Sequence, residues 1–133
     1  MPAGTDADPR PPAPAERYPK HSIDDRTLKL GLRIIRLVAA LKRTLISDVI
    51  AKQLLRSGTS IGANLAEAQS AFTRSDFRYL VNLSRKEACE TRYWLTVLAE
   101  SKLVRPERLH PLMQETEEII RILSAIVKKT ASK

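Results

Sequence analysis

The residue types that most often do chemistry are few and scattered in this chain. There are two histidines, His21 and His110, and one cysteine, Cys89. Neither histidine belongs to a Glu-x-x-His pair, the arrangement that holds metal between the helices of a bundle. No metal ligand set and no cofactor are therefore expected. Cys89 has no histidine in useful sequence context and reads as a small packing residue. The carboxylates come closer to a pattern: Glu67 lies one helical turn from Asn64, and Glu87, Glu90 and Thr91 follow one another on a later segment. Paired carboxylates can do acid–base work. Without histidines or a third group, these read instead as a hydrogen-bonded network that fixes helix register or a subunit contact. No catalytic residue is expected, and an enzyme finds no supporting constellation.

The stretch Arg56–Glu67, RSGTSIGANLAE, invites a phosphate-loop reading. A P-loop needs Gly-x4-Gly-Lys-Ser/Thr after a strand, and a dinucleotide fingerprint needs G-x-G-x-x-G in a βαβ unit. Gly58 and Gly62 are four residues apart, no lysine follows them, and the flanking pattern is helical. On a helix the two glycines lie one above the other, and Ala63 and Ala66 keep the surface low. A neighbouring helix can approach closely there, gaining dispersion contacts that offset the glycine penalty.

What positions these residues is a set of helices. Aromatics make up 5% of the chain and glycines number four, which leans away from sheet. Ser22 can cap a first helix, with Asp24 and Asp25 at the positive end of its dipole. Leu30, Ile34, Leu37, Leu41 and Leu45 then form its stripe, widened by Ile35 and Val38. Ser47-Asp48 is the next start signal, and Ile50, Leu54, Gly58, Ile61, Leu65, Ala68 and Phe72 keep a helical step. Thr73 offers a third cap. Beyond it Phe77, Leu80, Ser84, Glu87, Thr91, Trp94 and Leu98 give a seam that is polar at its centre. Tyr93 and Trp94 point in different directions, so one can fill the core while the other faces a partner. Pro106 suits the first turn of a fourth helix striped by Leu109, Leu112, Thr116, Ile119, Leu123 and Ile126, with an irregularity expected at Pro111. Short connections force antiparallel neighbours, so the expected fold is an all-α, up-down-up-down four-helix bundle over residues 22–130.

Residues 1–21 read as a disordered, proline-rich tail, since six of the eight prolines precede residue 20. The charges of that tail cancel, so the net +8 sits on the bundle. No apolar run approaches the ~18 residues that span a bilayer, and no secretory h-region opens the chain, so a cytoplasmic location and no membrane partner are expected. Between Asp25 and Asp48 there is no acidic residue, while Arg26, Lys29, Arg33, Arg36 and Arg43 repeat at 3, 4, 3 and 7. A solubilising helix face usually mixes signs. This face repels itself and is either a phosphate-contacting surface or a solvated one. Arg74 and Arg78 could extend it.

Two blocks, QLLRSGTSIGANLAEA (Gln53–Ala68) and SDFRYLVNLSRKEACETRYWLTVLAES (Ser75–Ser101), resemble the bacterial four-helix-bundle proteins encoded in intervening sequences of large-subunit ribosomal RNA genes. More distantly they resemble the accessory variability determinants of diversity-generating retroelements. The likeness covers residues 22–130, and KEACETRYWL (Lys86–Leu95) is its most specific part. The resemblance implies a homopentamer without enzymatic activity and, for the retroelement branch, binding to nucleic acid and to a reverse transcriptase. One departure stands out: the family often closes its second-helix motif with Glu-Gly, whereas Glu67 is followed by Ala68. The expected function is thus nucleic-acid binding, RNA or DNA, through Arg26, Lys29, Arg33, Arg36, Arg43, Arg74 and Arg78. Gly58, Gly62, Asn64, Glu67, Glu90 and Trp94 are expected to make structural or oligomer contacts. The alternative is a protein-interaction scaffold that binds no nucleic acid.

Overall fold

The computed structural model describes residues 17–131, and the expected disordered tail, but for its last residues 17–21, lies outside them. Four helices make up the fold: α1 (Ile23–Ala39), α2 (Leu45–Ala68), α3 (Arg74–Glu100) and α4 (Pro106–Ala131), with no strand among the described residues. Each helix packs on its sequence neighbours, and α4 closes the ring against α1, while the backbones of the diagonal pairs stay apart. The α1–α4 seam is the thinnest of the four. Cross-helix hydrogen bonds run in antiparallel order, for example Ser84 to Ile61 and Thr91 to Ser57 between α3 and α2.

The helix starts follow from side-chain capping. Ser22 accepts from the Asp25 N–H, and Thr73 accepts from the Asp76 N–H, satisfying donors that a helix leaves unpaired. At α2 the start lies earlier than the Ser47-Asp48 signal. Thr44 is the cap, and Ser47 closes a reciprocal capping box with it. That box ends the apolar run of α1 at Ala39. Leu41 falls in the connection, and Leu45 is 83% exposed at the first turn of α2. Phe72, expected on the α2 stripe, is fully exposed in the α2–α3 connection. α4 continues through Pro111, which is exposed, so the carbonyl it cannot serve faces water rather than core.

The core is aliphatic and drawn from every helix: Leu30 and Ile34, Leu54 and Ile61, Leu95 and Leu98, Ile119 and Leu123 are all fully buried. Through it runs the polar seam. Ser57, Ser84, Thr91 and Thr116 have no exposed surface. Ser84 donates to the Ile61 carbonyl at 2.7 Å, and Thr91 donates to Ser57 Oγ at 3.0 Å. Burying a hydroxyl unpaired costs about 1–3 kcal/mol, so these pairs tie the register of α2 and α3 together.

His21 belongs to an ordered turn before α1 rather than to a free tail. Its backbone is left-handed (φ 65°), and its N–H donates to Asp25 Oδ2 at 2.9 Å. Asp25 is buried, and this bond, followed by the Lys29 ammonium at 3.0 Å, holds its carboxyl below the ordinary value of 3.8. A depressed carboxylate stabilises the fold above its unfolded pKa, and that stabilisation is lost as pH falls through the folded value. Asp25→Asn should therefore flatten the loss of stability as pH falls below about 5. Urea unfolding across a pH series reads this; an acid limb identical to wild type would place the linkage elsewhere.

Candidate nucleic-acid interface

Antiparallel packing decides what each basic residue meets. Arg26 points at α4 and donates to both carboxylate oxygens of Glu115 (2.9 and 2.8 Å) and to Glu118 at 2.6 Å. Glu115 and then Glu118 raise the Arg26 pKa further above its already high value. Lys29 pairs with Asp25 one turn back at 3.0 Å. Arg43, which falls in the α1–α2 connection rather than on α1, pairs with Asp48 at 3.2 Å, and that carboxylate raises its pKa. The stripe therefore does not simply repel itself, as its spacing suggested: three of its five members are neutralised by carboxylates. A bidentate arginine pair such as Arg26–Glu115 carries geometric specificity, and it closes α1 onto α4.

Arg74 and Arg78 also have work inside the bundle. Arg74 donates to the Thr130 and Lys129 carbonyls at 3.3 and 3.4 Å, and Arg78 donates to the Val127 carbonyl at 3.1 Å. The Lys129 and Thr130 carbonyls lie in the last turn of α4, where a cation suits the helix dipole, and the Val127 carbonyl, just before it, also accepts from Thr130 Oγ1 at 3.1 Å. Both arginines tie α3 to the C-terminal end of α4.

Arg33 and Arg36 differ from the rest. Neither makes an ion pair or a side-chain hydrogen bond among the described residues. Together with Arg108 of α4, also without such a partner, they line a cleft of about 270 Å³ between α1 and α4. Leu37, Pro111 and Leu112 complete the lining, and no carboxylate belongs to it. Sequence spacing did not single out Arg108. The topology does: in an up-down bundle the first turn of α4 lies beside the last turn of α1.

The expected structural contacts divide in the same way. A Cβ on Gly58 would stand 2.5 Å from Ile34 Cδ1, and one on Gly62 would stand 3.4 Å from Thr27 Oγ1, so the thin face of α2 seats α1 of the same chain. Glu90 accepts from Trp94 Nε1 at 3.0 Å and pairs with Arg56, which also reaches Glu87 at 3.2 Å. Arg56 first, then Trp94, lowers the Glu90 pKa. Trp94 is half-buried against the core, while Tyr93 is 59% exposed and meets it edge-on at 5.0 Å. Asn64 and Glu67 form no side-chain hydrogen bond among the described residues, so they stand outside this network. Arg56, which holds it together, is the partner the sequence reading omitted.

No group of three His, Cys, Asp or Glu side chains suited to a metal occurs among the described residues. None of the described helices is long and apolar enough to cross a membrane.

No protein of curated function matches the chain. Among solved structures, it is similar to a protein of unknown function from the S23 ribosomal protein family of Bacteroides thetaiotaomicron. The two share 36% identity and a TM-score of 0.73, over 80% of this chain and 99% of that one. Residues 20–125 match the 23S rRNA-intervening sequence protein family, and the likeness of the two sequence blocks agrees with it. With its four-helix architecture and this match across all four helices, the chain belongs to the 23S rRNA-intervening sequence protein family.

Proposed function

We propose that this chain is a non-enzymatic, self-associating bundle that binds nucleic acid, RNA or DNA, mainly through phosphate contacts. The observation that carries the reading is the convergence of Arg33, Arg36 and Arg108 on one cleft without an opposing carboxylate. Like charges gathered at one place cost stability, and Arg108 stands in the first turn of α4, where the helix dipole disfavours a cation. No ion pair among the described residues offsets that cost, whereas a polyanion does. The test is the salt dependence of oligonucleotide binding with and without Arg33 and Arg36.

Self-association rests on a second surface. Leu32 and Ile35 of α1 are 40% and 43% exposed, and Val49 of α2 is 57% exposed. Gly31, Gly62, Ala63 and Ala66 floor a groove beside Leu32 and Ile35. Exposed apolar side chains beside a groove of small residues mark a contact with another molecule. Light scattering is expected to give several times the 14.9 kDa chain mass, five-fold as the family resemblance implies. Ile35→Glu/Val49→Glu should give the monomer; a wild-type monomer would remove this part of the proposal. Partnership with a reverse transcriptase rests on the resemblance of the two sequence blocks. It becomes the leading reading if purified protein binds no oligonucleotide.

A further inference from the structure

The α1–α4 cleft has two chemistries in one place. Three arginines line it, and Pro111 with the edges of the largely buried Leu37 and Leu112 gives it an apolar part. Arg33 is half-buried, whereas Arg36 and Arg108 are exposed. We infer that this cleft seats one nucleotide of a single strand, with its phosphate among Arg33, Arg36 and Arg108 and its unstacked base against Pro111 and Leu112. The inference rests on the nucleic-acid reading and narrows it to single strands.

The reasoning is one of complementarity. A duplex presents a convex row of phosphates with its bases stacked inside, so it can touch the guanidinium groups but leaves the apolar part unused. A strand with splayed bases covers that part, and arginine planes stack on bases as well as binding phosphate. The volume of about 270 Å³ suits a single residue of a polymer rather than a groove-tracking contact. The α1–α2 groove is a poor rival for this ligand, because Asp24 is the only charged side chain in its lining.

Fluorescence anisotropy on the full chain separates the possibilities. The probes are a labelled mixed-sequence oligonucleotide as RNA and as DNA, its duplex, and a strand of equal length with abasic residues, all at matched salt. The single strand is expected to bind at least tenfold more tightly than the duplex or the abasic strand. Arg108→Gln should remove most of that preference, and Arg108→Lys should fall between, since it keeps the charge and loses the planar fork. Neither variant should melt below wild type, because Arg108 has no partner within the fold, and Arg108→Gln should hold or rise slightly as the repulsion is relieved. Equal affinity for the intact and abasic strands overturns the base seat. Binding of single strand and duplex alike, unchanged by Arg108→Gln, overturns the cleft while leaving salt-sensitive nucleic-acid binding in place. If no probe binds, the broader reading fails with it.

Discussion

Arg33→Glu/Arg36→Glu is expected to weaken oligonucleotide binding at least tenfold at low salt. The same variant should flatten the slope of log K against log salt by about 1.8 on duplex DNA, or about 1.4 on a single strand. The slope is the better readout, because each lost phosphate contact removes about 0.9 or about 0.7 from it whatever the absolute affinity. Neither arginine is engaged within the bundle, so the variant should fold normally. Reversed charges beside Arg108 replace repulsion with attraction, and stability should hold or rise slightly. Arg78→Gln supplies the contrast: it removes a donor from the Val127 carbonyl, so it should lower stability and leave the salt slope alone. If wild type binds with a steep slope that the double variant preserves, the contacts lie elsewhere on the basic surface. If wild type binds neither polymer near physiological salt, the uncompensated arginines are a solvated face, and a protein partner takes their place.

Local signals carried most of the fold. Ser22 and Thr73 cap the helices that their positions announced, and Pro106 opens α4. Leu30, Ile34, Leu54, Ile61, Ile119 and Leu123 are buried as their spacing requires. Where local signals compete, spacing alone does not choose. Leu41 and Leu45 continue the helical step of α1, yet the Thr44–Ser47 capping box starts a new helix and leaves Leu45 in solvent. The site was less legible for a different reason. Spacing tells which residues share a helix face, but not what stands opposite that face. Arg26 and Glu115 are 89 residues apart, and no run around Arg26 shows that a carboxylate will neutralise it. The partners of Arg74 and Arg78 are backbone carbonyls, which every residue has and no pattern marks. Only the antiparallel placement of α4 beside α1 separates the paired cations from Arg33 and Arg36 and adds Arg108 to them.

Gly58→Val is expected to lower stability by about 3 kcal/mol, at the upper end of overpacking penalties. At this chain length that is a fall of about 10 °C in Tm. A Cβ at Gly58 would stand 2.5 Å from Ile34 Cδ1 and 3.2 Å from Cγ2, so α1 must move or Ile34 must leave its rotamer. An alanine would recover about 1 kcal/mol through helix propensity, whereas valine recovers little of it and adds two methyls at the crowded point. Ile34→Ala alone should cost about 2–5 kcal/mol for the cavity it leaves. Combined with Gly58→Val, it should cost at least about 1 kcal/mol less than the sum, because each change relieves the other. Gly31 gives the opposite sign: a Cβ there meets nothing nearer than the Gly58 carbonyl oxygen at 3.7 Å. Gly31→Ala should therefore gain up to about 1 kcal/mol of helix propensity. Independent, additive effects at positions 34 and 58 would mean that α1 slides freely on α2. Coupling would mean that it is pinned, and with it Arg33, the neighbour of Ile34, which lines the α1–α4 cleft with Arg36 and Arg108.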